Sequence, residues 1–281
     1  ILLYGEGWDM GTGLRPEDKA KKDNAYQLPR IGFFNDTERD AVKGAEVYGG
    51  IRAGFVSGQA TEDIVAKSIL GSSELGSYLS PDQVLNYVEA HDNFNLHDLL
   101  AELHPDDDVL TRTKRIELAT AMNLLMQGMS FMEVGQEFSR TKLVATGEDG
   151  QVLHSDRERA MNSYNAPDAV NQVNWDILQD HQESIDFIKN IIRLKTSCKA
   201  FSYQTYEDIY KHVFVQSAEQ GSGLIIFEIK DDKHYQVIFN ASGLPYYLPN
   251  ADKLRLLVGN SRHKKPFYVE NLTVSVFEVI Q

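Results

Sequence analysis

The 281-residue sequence holds one cysteine, Cys198. That excludes an intramolecular disulfide framework and any zinc site built on several cysteines. A lone thiol fits either side of a membrane, and with Leu194 and Phe201 at helical spacing Cys198 reads as a small core filler rather than a nucleophile. Apolar runs of about 18 residues, the length needed to span a bilayer, are missing, so no membrane partner is expected. Basic charge is scarce, with 28 Lys and Arg against 41 Asp and Glu and a formal net charge of −13. Nucleic-acid binding needs basic surface that releases counterions. No nucleic-acid partner is therefore expected, and an uncharged ligand fits the balance better. The two short basic runs, Lys19, Lys21 and Lys22 and then Arg262 to Lys265, read as solvated faces. There is no G-x-S-x-G nucleophile elbow and no glycine-rich phosphate loop between strand and helix, so no redox or phosphate cofactor is called for.

What is present suits a globular chain with a sizeable core: 42% hydrophobic, 25% charged and 10% aromatic residues. Up to about residue 200, short apolar runs at 1–4, 31–34, 86–89 and 130–134 alternate with helical patterns. This is the signature of βα units around a parallel sheet. The first run has no initiator methionine and no basic leader before it, and the chain is expected to begin inside a fold. Helices are predicted over 110–126, with Leu118, Met122 and Leu125 on one stripe, and over 184–196. The weakly periodic stretch 137–174 reads as a functional loop carrying small helices. Beyond Ala200 the period changes to two, predicting strands over 213–216, 223–229, 235–240, 255–259 and 273–280. The expected division is an α/β unit over 1–200 and an all-β antiparallel sandwich over 201–281.

Polar sequence follows each strand of the first unit, where α/β folds hold their ligands. Glu6 lies between Gly5 and Gly7, which remove bulk beside the carboxylate, and Trp8 offers a stacking face for a sugar and an apolar wall. Such a wall disfavours the charged form of a carboxyl, as a general acid requires, although a glutamate here can equally cap the following loop. His91, Asp92 and Asn93 follow the third strand. Metal is the weakest reading of that cluster, because His97 and His104 do not sit at ligand spacing. What remains is a pair of carboxylates, Glu6 and Asp92, on different strands of one sheet, which is the equipment for glycosidic bond cleavage.

Three segments carry a resemblance. They are Tyr4-Gly5-Glu6-Gly7-Trp8, Tyr87-Val88-Glu89-Ala90-His91-Asp92-Asn93, and Gly135 to Lys142 with the sequence GQEFSRTK. They resemble the later signature segments of the alpha-amylase family of glycoside hydrolases, and the resemblance covers essentially the whole chain. Ile31 to Asp36 (IGFFND) and Asn162 to Asp168 (NSYNAPD) are similar to the debranching type I pullulanases. The resemblance implies a retaining mechanism in a (β/α)8 TIM barrel, of which this chain holds the C-terminal half, strands five to eight, before a C-terminal β-sandwich. It implies Glu6 as general acid and base, Asp92 as the carboxylate stabilising the transition state, and His91 as a donor to the sugar. Trp8, Asn93, Tyr164, Asn165 and Asp168 would line the substrate groove.

The implied substrate is an α-glucan, pullulan or limit dextrin, cut at α-1,6 branch linkages. The family's nucleophile segment, resembling G-F-R-F-D, is not in the sequence and would precede Ile1. The isolated chain is therefore expected to be inactive and to need a partner at its open sheet edges, either the N-terminal half of the same enzyme or a second copy of itself. Two other readings stay open: a non-catalytic α-glucan-binding or structural fragment, and an amylase-family transferase. No cofactor is implied, although the acidic stretch Asp106 to Asp108 leaves room for a structural calcium.

Overall fold

The computed structural model describes residues 2–47, 50–261 and 267–280. Ile1 and the basic run Arg262 to Lys265 lie outside the described residues. The first part of the chain carries β1 (Tyr4–Gly5), β2 (Gly32–Phe34), α1 (Asp36–Val42), a hairpin of β3 (Gly44–Val47) and β4 (Gly50–Ala53), α2 (Glu62–Ile69), β5 (Val84–Asn86), α3 (Leu96–Leu103), α4 (Val109–Leu125) and β6 (Met129–Ser130). Strands β1, β2, β5 and β6 form one sheet in that order, and every pairing is parallel. The long segment after β6 carries α5 (His154–Met161) and α6 (Asp168–Asn171), and α7 (Gln182–Ser197) and α8 (Tyr206–His212) lead into the second sheet.

That sheet is antiparallel, in the order β11-β13-β9-β8-β7, from β7 (Val213–Ser217), β8 (Leu224–Lys230), β9 (His234–Asn240), β11 (Leu254–Gly259) and β13 (Thr273–Val279). Strands β10 (Tyr246–Tyr247) and β12 (Tyr268–Val269) pair as a separate ribbon. Period-two alternation gives the sheet two apolar faces. Ile225, Phe227, Val237, Phe239, Val274 and Val276 join the core that includes Leu118, Met122 and Leu125 of α4 and Ile188 and Ile191 of α7. Ile226, Ile238 and Phe277 face the other way, packed with Leu248 and Val269. Helix α4 starts at Asp108, whose side chain accepts the Thr111 N–H at 2.7 Å. All of its residues from Ile116 onward are buried, and Gly128, at φ +103°, turns the chain into β6 where an added Cβ would meet the Val84 carbonyl at 3.0 Å. Among the described residues no helix is long and apolar enough to cross a membrane.

The five long antiparallel strands and the two long helices lie within a residue or two of expectation, and the parallel strands differ more. The third strand is β5, Val84–Asn86, not 86–89. Past Asn86 the backbone stops pairing with the sheet, because the Tyr87 N–H goes to the Glu38 side chain at 3.1 Å. The run at 130–134 is a strand only at Met129–Ser130. The apolar run at 1–4 is not core: Leu2, Leu3 and Tyr4 are 73%, 56% and 53% exposed, since among the described residues β1 is an edge strand with β2 on one side only. Cys198 is half-buried and its thiol lies 3.3 Å from the Tyr235 hydroxyl.

A buried amide network ties the parallel sheet to the helices. Asn35 donates to Asn86 and to Ser72, each at 2.9 Å, and Asn86 donates to the Gln127 carbonyl at 2.9 Å. The Gln127 side chain then bonds the Ala200 carbonyl at 2.8 Å and the Tyr203 N–H at 2.9 Å. Gln127→Leu leaves those two groups unpaired and should cost ~2–4 kcal/mol, read from chemical denaturation. An unchanged midpoint would contradict the role given to the amide. Burial also pushes the Glu38 carboxyl from the ordinary 4.5 up to about 8, the Tyr87 N–H pulling the other way. Between those values the folded chain keeps a proton that the unfolded chain has released, so stability falls as pH rises across that window. Glu38→Gln should flatten the fall, and parallel stability curves for the two proteins from acid to mildly alkaline pH would refute it.

Candidate active site

Because the four strands are parallel, their carboxyl ends open on one side, and the chain leaving β1, β2 and β5 meets around a cavity of about 850 Å³. Glu6 enters from just past β1, Phe34 from the end of β2, and Tyr87 and His91 to Asn93 from beyond β5. The side-chain donor atoms of Glu6, His91 and Asp92 all lie within 4.8 Å of one another, and all three residues are exposed. His91 Nε2 stands 3.6 Å from Asp92 Oδ1. Among the described residues this is the one His/Cys/Asp/Glu group close enough to hold a metal. Its two oxygens and one nitrogen are open to water, and the same groups serve equally as proton donor, acceptor and charge stabiliser for a neutral ligand.

Local sequence fixes each part. Gly7 has φ +71°, and a Cβ there would sit 2.6 Å from the Phe33 ring, so the turn that presents Glu6 requires glycine at that position. Gly5 has open space instead and is not needed for clearance. Trp8 is held by Lys22, whose ammonium lies 4.4 Å from the ring centroid and pairs with Asp36. The cavity floor is aromatic, Phe34 meeting Tyr87 edge-on at 4.9 Å and Phe131 at 5.3 Å. Arg39 donates to the Tyr87 hydroxyl at 2.7 Å, and burial pushes that phenol up to about 12.

The loop carrying His91 and Asp92 is gripped by buried ionisable side chains. Lys43 donates to the Phe94 carbonyl at 3.1 Å, and Glu46 accepts the Phe94 N–H at 3.0 Å. The Glu89 carboxylate accepts the Leu96 N–H at 2.7 Å, and burial pushes its pKa up to about 8. Lys142 donates to the carbonyls of His91 and Asn93. Asn93 itself adopts φ +63°, the left-handed region that asparagine enters more readily than most residues with a side chain.

Of the residues expected from sequence, Glu6, Trp8, His91, Asp92 and Asn93 line this one cavity. Tyr164, Asn165 and Asp168 do not. All three are exposed, Tyr164 to 79%, and their segment reaches the cavity through Met161 and Asn162. Sequence reading missed Arg39, Lys43, Glu46 and Lys142. Arg39 and Lys43 stand four apart on and just after the helix that follows β2, a spacing that puts both on one face. In the acidic stretch Asp106 to Asp108, Asp107 pairs with Arg115 at 2.7 Å and Asp108 caps α4.

No protein-family model matches the chain. It is 35% identical over 271 residues to a pullulanase of Bacillus subtilis (strain 168), an alignment covering 92% of this chain and 35% of that protein. It is 26% identical over 256 residues to Pullulanase A of Streptococcus pneumoniae, covering 80% of this chain and 20% of that one. Among solved structures, the pullulanase of Anoxybacillus sp. LM18-11 complexed with maltotetraose superposes with a TM-score of 0.84 at 32% identity, over 99% of this chain and 39% of that chain. The type I pullulanase of Bacillus subtilis complexed with maltose gives 0.83 at 32% identity, over 100% and 40%. In sequence and in fold the chain is a relative of the pullulanases, spanning 35% of the length of the first of those curated relatives and 20% of the second.

Proposed function

We propose that this chain is the C-terminal half of the catalytic (β/α)8 barrel of a retaining glycoside hydrolase that cleaves α-1,6 linkages in pullulan and related α-glucans, residues 1–200, followed by a β-sandwich domain, 201–281. One observation carries the reading: two carboxylates and an imidazole, delivered by the ends of different parallel strands, converge within 4.8 Å on an open, aromatic-floored cavity. The relatives solved with maltotetraose and with maltose supply the class of ligand.

In this reading Glu6 protonates the leaving glycosidic oxygen and then, as its conjugate base, takes a proton from the water that completes hydrolysis. Asp92 holds sugar hydroxyls and stabilises the oxocarbenium-like charge, and His91 donates a hydrogen bond to the same sugar. Trp8 and the Phe34 and Tyr87 rings give sugar faces an apolar surface and Asn93 lines the same cavity, while Tyr164, Asn165 and Asp168, exposed on the segment beyond Asn162 and outside that lining, are offered as contacts for sugars further along the glucan. The nucleophile comes from a part of the protein upstream of these residues. The same part supplies the neighbours for the outer edges of β1 and β6, each of which has one partner strand among the described residues. The chemistry assigned to these residues needs no cofactor.

In the full-length protein, Glu6→Gln removes the proton donor and leaves the groove unchanged. Turnover of pullulan should fall by roughly 10²- to 10⁴-fold with maltotriose affinity nearly unaltered. A variant that turns over pullulan as the wild type does would sink the assignment, and one that loses binding instead would make Glu6 a binding residue.

A further inference from the structure

Beneath the loop that carries His91 and Asp92 lies a cation with no part in the chemistry above. Lys142 is 2% exposed, and its Nζ donates to the His91 carbonyl at 3.1 Å, to the Asn93 carbonyl, and to the Ser163 hydroxyl at 3.2 Å. Three acceptors use all three protons of an ammonium. Two of them flank Asp92 in sequence, and the third belongs to the segment between α5 and α6. Lys142 is itself fixed, since its N–H and the Thr141 hydroxyl both go to the buried carboxylate of Asp98 on α3. Burial lowers the Lys142 pKa, opposed chiefly by Asp98, then by Glu89 and Glu46, with Lys43 facing it as a like charge.

With the carbonyls on both sides of Asp92 drawn inward, the Asp92 side chain is left outward, 65% exposed, beside Glu6. We propose that Lys142 is the positioning residue of this site: its buried ammonium fixes the backbone on either side of Asp92 and locks that loop to the Ser163 segment, setting His91 and Asp92 against Glu6. The proposal rests on the reading of Glu6 and Asp92 as the reacting site for its kinetic arm, and on the loop geometry alone for its structural arm.

The test compares Lys142→Met and Lys142→Arg in the full-length protein by hydrogen exchange of the 90–96 loop, with β8 and β9 as internal reference, and by kcat and KM on pullulan. Lys142→Met should speed loop exchange by about tenfold or more while the reference strands hold, and lower kcat by ~100-fold with KM within about threefold. Lys142→Arg keeps the charge but presents a planar fork that cannot meet all three acceptors, and it should fall between. If Lys142→Met unfolds, seen as exchange rising in β8 and β9 as well, Lys142→Arg decides by the same local comparison. Unchanged loop exchange in a folded variant overturns the proposal, as does a kcat within about threefold of wild type in Lys142→Met. A wild-type protein that releases no reducing ends defeats the hydrolase reading instead, and loop exchange then decides the role of Lys142 by itself.

Discussion

Ten residues of backbone, 87–96, leave the parallel sheet beside the cavity, and six of their polar groups are met by ionisable side chains rather than by a neighbouring strand. Glu38 takes the Tyr87 N–H, Lys142 the carbonyls of His91 and Asn93, Lys43 and Glu46 the carbonyl and N–H of Phe94, and Glu89 the Leu96 N–H. A buried charge without partners and a buried peptide group without partners are each costly. Here each of those peptide groups finds a side-chain partner. The loop is thereby fixed in place, and so are the two exposed residues it presents.

The rest of the first unit follows from supplying those partners. Helix α1 contributes Glu38 and ends at Lys43, and β3, which follows directly, contributes Glu46. Helix α3 contributes Asp98, which holds Lys142 from below. The insertion between β2 and β5, more elaborate than one crossover helix, therefore has a local purpose: it brings a hairpin's carboxylate to the loop from one side while the 140–142 segment approaches from another. Beneath the strands, the neutral Asn35, Asn86 and Gln127 network joins the sheet to the helical layer and to the start of the second unit.

Where burial follows sequence periodicity, the fold was legible. Strands β8, β9 and β13 alternate cleanly because each face meets a different apolar layer, and the α4 stripe is core as expected. That Glu6 directly follows a parallel strand was legible too, since a short apolar run broken by polar residues marks that end, whereas His91 to Asn93 were expected directly after a strand that ends earlier, at Asn86. The strand at β5 was misplaced by two residues because Tyr87 and Val88 look apolar enough to pair, while the Tyr87 N–H goes to the Glu38 side chain, which no local pattern reveals. The clamp was invisible for a related reason: Lys43, Glu46 and Lys142 are charged, charged residues read as surface, and only the tertiary fold brings opposite charges together under one loop. Tyr164, Asn165 and Asp168 came from motif resemblance, and the geometry sets them on an exposed segment that meets the cavity only at its near end.

The central claim is that this chain holds the acid and the stabilising carboxylate of a glucosidase and takes its nucleophile from elsewhere in the protein. Reducing-end release from pullulan, measured for the purified chain alone and again after adding a polypeptide that carries the upstream barrel strands, tests it most directly. The account predicts release only in the mixture. Release by the chain alone would show that a nucleophile lies among these residues, and release by neither, from a mixture shown to associate, would contradict the hydrolase reading.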